Sequence, residues 1–248
     1  MSLIINASNL GIKFKTGKSG YKKFSRTLKD VIAQGNTVRS TQDSGDFWAL
    51  RNISFTVNKG DILGVVGSNG SGKSTLLRTI AGVYSLDEGK LDVYGSISPL
   101  LSLGTGFKKN LSGYDNIFLN GVIMGFSKKE IEQHVNEIIS FSELGKFIFE
   151  PVKNYSSGMR ARLGFSIAVF LKRDIMLIDE VLGVGDRKFR EKSQEKMLEI
   201  MNSGQTIIIV SHDLESVKKF ANKCIWINKG QLMYEGNTEE VIQKYINS

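Results

Sequence analysis

The feature that most constrains this chain is Gly67-Ser68-Asn69-Gly70-Ser71-Gly72-Lys73-Ser74, followed by Thr75. Ahead of it runs Asp61-Ile62-Leu63-Gly64-Val65-Val66, apolar enough to predict a buried strand, and behind it Thr75-Leu76-Leu77-Arg78-Thr79-Ile80-Ala81 predicts a helix. Strand, glycine-rich turn and helix is the context in which G-x-x-x-x-G-K-[ST] makes a phosphate cradle. The glycines let successive backbone N–H groups turn toward one centre, and the helix start adds the positive end of its dipole. Lys73 supplies a full charge for β- and γ-phosphates, and Ser74 offers a hydroxyl to Mg²⁺. The plainer alternative is a tight glycine-rich turn with no ligand. Gly67 through Thr75 are therefore the candidate nucleotide-binding residues: Gly67, Ser68, Asn69, Gly70, Ser71, Gly72, Lys73, Ser74 and Thr75.

The 248 residues suffice for one large domain or two small ones with a substantial core. A charged fraction of 23% and a hydrophobic fraction of 41% belong to an ordinary globular chain. A single cysteine, Cys224, rules out an internal disulfide and suits a reducing compartment; its apolar neighbours predict a small core residue. The N-terminus lacks the basic-then-apolar pattern of a secretory signal, and no apolar run approaches the ~20 residues of a membrane span. The expected location is therefore the cytosol, with room for attachment to a membrane or a membrane partner. The net charge of +8 suits an anionic surface without specifying one.

Along the chain, Ile4 to Phe14 predicts a strand with a turn at Gly11, and Trp48 to Val57 a second strand. Phe14 stands on the amino-terminal side of the glycine loop, where its ring is a candidate to stack on adenine, with a core role as the alternative. Further short strands are expected between Gly89 and Leu101. From Tyr114 to about Ala168 the pattern turns helical, with breaks at Gly125-Phe126-Ser127, Leu144-Gly145 and Pro151. Ser127 and Glu130 form a capping-box start. His134 falls in this helical stretch as a surface or packing residue. Strand–helix alternation resumes with Ile175 to Ile178, a helix from about Arg187 to Met201, Thr206 to Val210, and helices after Asp213 and from Glu239 to Ile246. The predicted class is α/β: a core with a helical insert.

Asp174 to Glu180 is an apolar strand ending in two carboxylates, a costly arrangement unless an ion or a water uses them. Beside a phosphate loop, Asp179 is a candidate Mg²⁺ ligand together with Ser74, and Glu180 a candidate base for the attacking water. His212 follows the apolar strand Ile207 to Val210, at the strand end where ligands of open α/β sheets gather. It is a candidate catalytic group, donating to a γ-phosphate, with a structural role as the alternative. Tyr155-Ser156-Ser157-Gly158-Met159-Arg160 opens a helix whose first N–H groups lack partners, which makes it either an anion site or simply a capped helix.

Taken in order and spacing, the glycine loop, the Ser-x-Gly helix start, Asp179-Glu180 with Val181 to Asp186, and His212 resemble an ABC-transporter nucleotide-binding domain over nearly the whole chain. Tyr155 to Met159 occupies the signature position, usually Leu-Ser-Gly-Gly-Gln; here it keeps the serine and one glycine. That variant, with Leu101 to Phe107, Leu111 to Asn116 and Phe141 to Gly145, is similar to the ATP-binding subunits of O-antigen, capsule and teichoic-acid exporters. One departure stands out: the glutamine the family usually places after the strand near Leu101 is missing between Pro99 and Phe107.

The resemblance implies one P-loop ABC ATPase domain over residues 1–248, with an antiparallel β subdomain, an insertion in it over about 15–46, and a helical subdomain over about 111–168. It implies ATP and Mg²⁺ as cofactors and a homodimer closing on two ATP molecules. In that dimer Ser156, Ser157 and Gly158 of one copy face the nucleotide of the other. It further implies two permease subunits, a lipid-linked polysaccharide as cargo, a place on the cytoplasmic face of the bacterial cytoplasmic membrane, and no nucleic-acid partner. The chain ends at Ser248 with no glycan-recognition domain, so polymer recognition is expected elsewhere. A non-glycan cargo is the alternative. A soluble ABC ATPase fits less well, because such proteins carry two domains or a long coiled coil.

Between Lys15 and Asp30 stand six basic residues (Lys15, Lys18, Lys22, Lys23, Arg26, Lys29) against one acid. Tyr21, Phe24, Leu28, Val31 and Ile32 recur at helical spacing. A basic amphipathic helix here suits an anionic membrane surface, or equally a helix docked on its own domain.

Overall fold

The computed structural model describes residues 2–16, 45–100, 106–179 and 186–248. The basic stretch, from residue 17 to 44, and Glu180 lie outside the described residues. No described helix is long and apolar enough to cross a membrane. The chain divides into two compact units: Met1–Asn58, Leu63–Tyr94 and Val210–Ser248 in the first; Lys59–Ile62 and Gly95–Ile209 in the second.

The first unit opens with β1 (Leu3–Thr16) and β2 (Gly45–Asn58), paired antiparallel, and β4 (Glu88–Val93) pairs antiparallel on the other side of β1. Ile5, Ala7, Leu10 and Ile12 are buried from β1, as are Ile53, Phe55 and Val57 from β2. The turn expected at Gly11 does not form. With partners on both edges the strand runs on, and the irregularity is absorbed as a register shift around Asn9, whose φ of 49° lies in the left-handed region. Gly11 itself admits Trp48, whose ring would lie 3.0 Å from an added Cβ.

In the same unit β3 (Ile62–Val66) pairs parallel with β8 (Lys223–Asn228), and β8 pairs antiparallel with β9 (Gln231–Asn237). Helix α1 (Lys73–Ile80) follows β3 through the glycine loop. α6 (Leu214–Phe220) packs so closely on β3 that a Cβ at Gly64 would lie 2.6 Å from Val217 Cγ1. α7 (Thr238–Ile246) buries Val241 and Ile242. Cys224 is buried in β8, and burial pushes its thiol up to about 12, so it behaves as the core residue its surroundings predict.

The second unit has strand order β5 (Ile97–Leu100), β6 (Ile175–Asp179), β7 (Thr206–Val210), with β5 and β6 parallel. Its helices are α2 (Gly113–Ile123), α3 (Lys128–Ser142), α4 (Ser157–Phe170) and α5 (Arg187–Met201), with 3₁₀ turns at Gly145–Phe149 and Val152–Asn154. The helix breaks fall where the sequence placed them. α3 begins in the expected capping box: Ser127 accepts from the Glu130 N–H, and the Ser127 N–H donates to the Glu130 carboxylate at 2.7 Å. Ile131, Val135 and Ile138 from α3 meet Ile117, Leu163, Ile167 and Leu171 in one buried cluster. His134 sits on the outer side of α3, 2.9 Å from Glu137.

Candidate functional site

In the first unit the glycine loop has the geometry of a cradle. Gly67, Gly70 and Gly72 all have positive φ (149°, 76° and 111°). At two of them a side chain has no space: a Cβ on Gly67 would lie 2.1 Å from the Ile227 carbonyl oxygen, and one on Gly72 would lie 2.7 Å from the Ala49 carbonyl oxygen. The loop is also held from outside by the Gly230 N–H, which donates to the Ser71 carbonyl at 2.9 Å. Lys73 is 7% exposed, and its ammonium donates to the carbonyls of Gly67 (2.8 Å) and Ser68 (2.9 Å). The charge is thereby fixed over the loop. The hydroxyl of Ser71 is buried with no hydrogen-bond partner, and Gly72 gives α1 no side-chain cap. A buried orphan hydroxyl, an uncapped helix start and a fixed ammonium fit the phosphates of a nucleotide. Ser74 and Thr75 stand in the first turn of α1, half-buried.

Phe14, half-buried, pairs in register with Phe47 on β2, and Phe47 lies two positions from Ala49, which touches the loop. The ring of Phe14 meets Tyr84 edge-on, with centroids 5.5 Å apart. Tyr84 is a neighbour that sequence inspection did not reveal. His212 lies exposed between β7 and α6. The next residue, Asp213, caps α6 by accepting from the Glu215 N–H (3.2 Å). The Asp213 carboxyl is held below its usual range, chiefly by the Ser216 hydroxyl.

In the second unit Asp179 ends β6, half-buried after four residues with no exposure at all, Ile175 to Ile178.

The helix start that resembles the signature motif is also in this unit. Ser156 caps α4, accepting from the Met159 N–H at 3.2 Å. Ser157 is exposed, and a Cβ at Gly158 would meet only Ser156 Oγ, at 3.8 Å. Among the described residues nothing therefore demands glycine at 158. Gly158 lines a depression of about 370 Å³ together with Phe147, Ser156, Met159 and Arg162 among others. Tyr155, where the family pattern has leucine, is 4% exposed, and its hydroxyl donates to the Phe147 carbonyl at 2.6 Å. Burial pushes that phenol up to about 12. The hydroxyl also fills the space where a Cβ on Gly113 would lie.

Sequence inspection missed the charged group beside this depression. Arg162 pairs with Asp186 and lies 3.7 Å from Glu143, which in turn holds Lys192 at 2.8 Å. The Lys192 ammonium, beside Glu143, keeps that carboxyl below its usual range. Arg162 and Asp186 are 24 positions apart and Glu143 and Lys192 are 49 apart, so no short-range pattern signals either pair.

These features define an ATP-binding cassette. A family model described as "ABC transporter" matches residues 50–183. The chain is 41% identical over 245 residues to the teichoic acids export ATP-binding protein TagH of Staphylococcus haemolyticus, covering 99% of this chain and 89% of that one. It is 47% identical over 206 residues to the protein of that name from Lactococcus lactis, covering 83% of this chain and 44% of the relative. It is 45% identical over 207 residues to the O-antigen export system ATP-binding protein RfbB of Myxococcus xanthus, covering 84% and 47%. The chain thus spans less than half of the Lactococcus and Myxococcus relatives but nearly nine-tenths of the staphylococcal one. The dimeric post-hydrolysis structure of the ATP-binding cassette MJ0796 with ADP and Pi shares its fold at TM-score 0.68 and 19% identity, covering 95% of this chain and 99% of that one. This chain belongs to the ABC transporter ATP-binding family, and its α/β fold is the one such cassettes adopt.

Proposed function

We propose that the chain is the ATP-binding and ATP-hydrolysing part of an ABC exporter that moves a lipid-linked polysaccharide, of teichoic-acid or O-antigen kind, across the bacterial cytoplasmic membrane. The observation that carries the reading is the loop Gly67–Gly72 with the Lys73 ammonium fixed over it and the Ser71 hydroxyl left without a partner. The names of the relatives support the cargo class.

In this reading Lys73 and the loop N–H groups hold the phosphates, and Phe14 takes the base. Ser74 and Asp179 serve Mg²⁺, which when bound neutralises phosphate charge. Glu180 removes the proton of the attacking water, and His212 donates to the γ-phosphate. Two copies close head to tail over two nucleotides. Ser156, Ser157 and the open face at Gly158 then meet the nucleotide held by the partner copy. That closure moves a pair of permease subunits, with the chain on the cytoplasmic face of the membrane.

The reading is tested by depleting the protein in its own cell and analysing lipid-linked glycans. Accumulation of an undecorated or intracellular lipid-linked polymer supports it, and unchanged glycan pools with loss of another exported molecule would move the cargo elsewhere. ATP turnover by the isolated chain, abolished by Glu180→Gln, tests the enzymatic half.

A further inference from the structure

The chain leaving α1 has a fixed exit. Ala81 caps the helix and Gly82 follows with a φ of 75°. Two backbone bonds close this end: the Gly82 N–H donates to the Thr79 carbonyl (3.0 Å) and the Val83 N–H to the Arg78 carbonyl (2.9 Å). They occupy carbonyls that the helix cannot satisfy itself, and the left-handed glycine between them sets the direction of what comes next. What comes next is Tyr84.

Two further bonds moor the following turn on β1. The Asp87 N–H donates to the Gly11 carbonyl at 2.9 Å, and the Lys13 N–H donates to the Asp87 carboxylate at 2.6 Å. From Glu88, opposite Gly11, the chain runs on as β4. Tyr84 is thus held from both sides, by the end of α1 and by β1 just before Phe14. Its ring meets that of Phe14 with the planes at 85° and the centroids 5.5 Å apart. A perpendicular pair of rings is attractive, edge against face, and it uses at most one face of Phe14. The contact therefore orients the Phe14 ring without covering both of its faces.

Two elements join Phe14 to the glycine loop. β2 runs from Phe47, its register partner, to Ala49, whose carbonyl oxygen would lie 2.7 Å from a Cβ on Gly72. α1 runs from Lys73, whose ammonium lies on the loop, toward Tyr84 beside the Phe14 ring. Without the Tyr84 ring the second connection ends short of Phe14.

We propose that Tyr84 is a positioning residue for the nucleotide base: it fixes the orientation of the Phe14 ring relative to the glycine loop, so that base and phosphates are met together. The inference rests on the proposed reading of Phe14 as the base contact. Tyr84 acts through Phe14 and is not itself the platform for the base.

Inorganic tripolyphosphate carries the phosphates of ATP without the base, which isolates the effect. The experiment is calorimetric titration of the full chain with Mg²⁺ and either ATP or tripolyphosphate. It compares the parent with Tyr84→Ala, Tyr84→Phe, Phe14→Ala and the double variant Phe14→Ala/Tyr84→Ala. Tyr84→Ala should weaken ATP binding about fivefold, the order expected for a lost aromatic pair, and leave tripolyphosphate within about twofold of the parent. Tyr84→Phe keeps the ring and should restore ATP affinity. The double variant should bind ATP no more weakly than Phe14→Ala by itself, because Tyr84 has nothing to position once Phe14 is gone. Unchanged ATP affinity in Tyr84→Ala, equal losses for ATP and tripolyphosphate, or additive losses in the double variant would overturn the positioning role. If Phe14→Ala binds ATP as tightly as the parent, the base reading of Phe14 itself fails, and this inference falls with it.

Discussion

The ammonium of Lys73 donates to the carbonyl oxygen of Gly67 at 2.8 Å, tying the first residue of α1 to the residue that follows β3. The charge is therefore positioned by the loop itself, and a phosphate meets it with little reorganisation. Lys73→Ala should weaken ATP binding at least tenfold, about 1.4 kcal/mol or more. Titration with a fluorescent nucleotide measures it. An unchanged affinity would remove Lys73 from the phosphate site.

Glu180→Gln should separate binding from turnover. The side chain keeps its size and loses its basicity, so ATP affinity should stay near that of the parent while hydrolysis falls by about a hundredfold or more. Size-exclusion chromatography with ATP should show the variant accumulating as a dimer. Turnover within a few-fold of the parent would take the base role away from Glu180.

Two glycines make opposite predictions. Gly72 has φ 111° and would press a Cβ to 2.7 Å from the Ala49 carbonyl oxygen, so Gly72→Ala should lower stability by about 1–3 kcal/mol and reduce nucleotide binding. At Gly158 a Cβ meets nothing closer than 3.8 Å. Gly158→Val should therefore leave the melting temperature and monomer ATP affinity nearly unchanged while preventing ATP-driven dimerisation. Calorimetry and light scattering on both variants distinguish the two cases.

Tyr155 gives a pH signature. Its phenol is pushed from an ordinary 10 up to about 12 by burial, so between those values the unfolded chain releases a proton that the folded chain keeps. The stability tied to this group is complete below pH 10 and drains away as pH rises toward 12. Tyr155→Phe loses the hydrogen bond to Phe147, about 1 kcal/mol at neutral pH, and with it the alkaline loss. Urea midpoints of the two proteins should converge as pH rises from 10 to 12.

The segment outside the described residues can be tested in cells. Lys22, Lys23, Arg26 and Lys29 replaced by glutamine should leave ATP binding of the isolated chain as it was and impair export, because each basic residue near an anionic surface contributes about 1 kcal/mol. Full export would reduce the cluster to solvated surface.

Local signals carried most of what the sequence revealed. Apolar runs marked β3, β6 and β7. The Ser127–Glu130 pair marked the start of α3, and the Gly67–Ser74 spacing marked the loop, because each feature is encoded within a few neighbouring residues. Gly11 misled because a glycine between apolar residues looks like a turn when the two partner strands, distant in sequence, are not yet known. The Arg162 group and the Phe14–Tyr84 contact were invisible for the same reason: their partners are brought together only by the folded chain.

The phenol of Tyr155 and the bare backbone of Gly113 occupy one space, since a Cβ on Gly113 would lie 2.1 Å from that hydroxyl. The crowding is double: the Ile148 carbonyl oxygen would lie 3.0 Å from the same Cβ. Trimming Tyr155 to the leucine of the usual pattern would leave a hole on one side of position 113 and backbone on the other. Glycine at 113 is therefore what lets one tyrosine hydroxyl and one main-chain carbonyl share a corner that no side chain could enter.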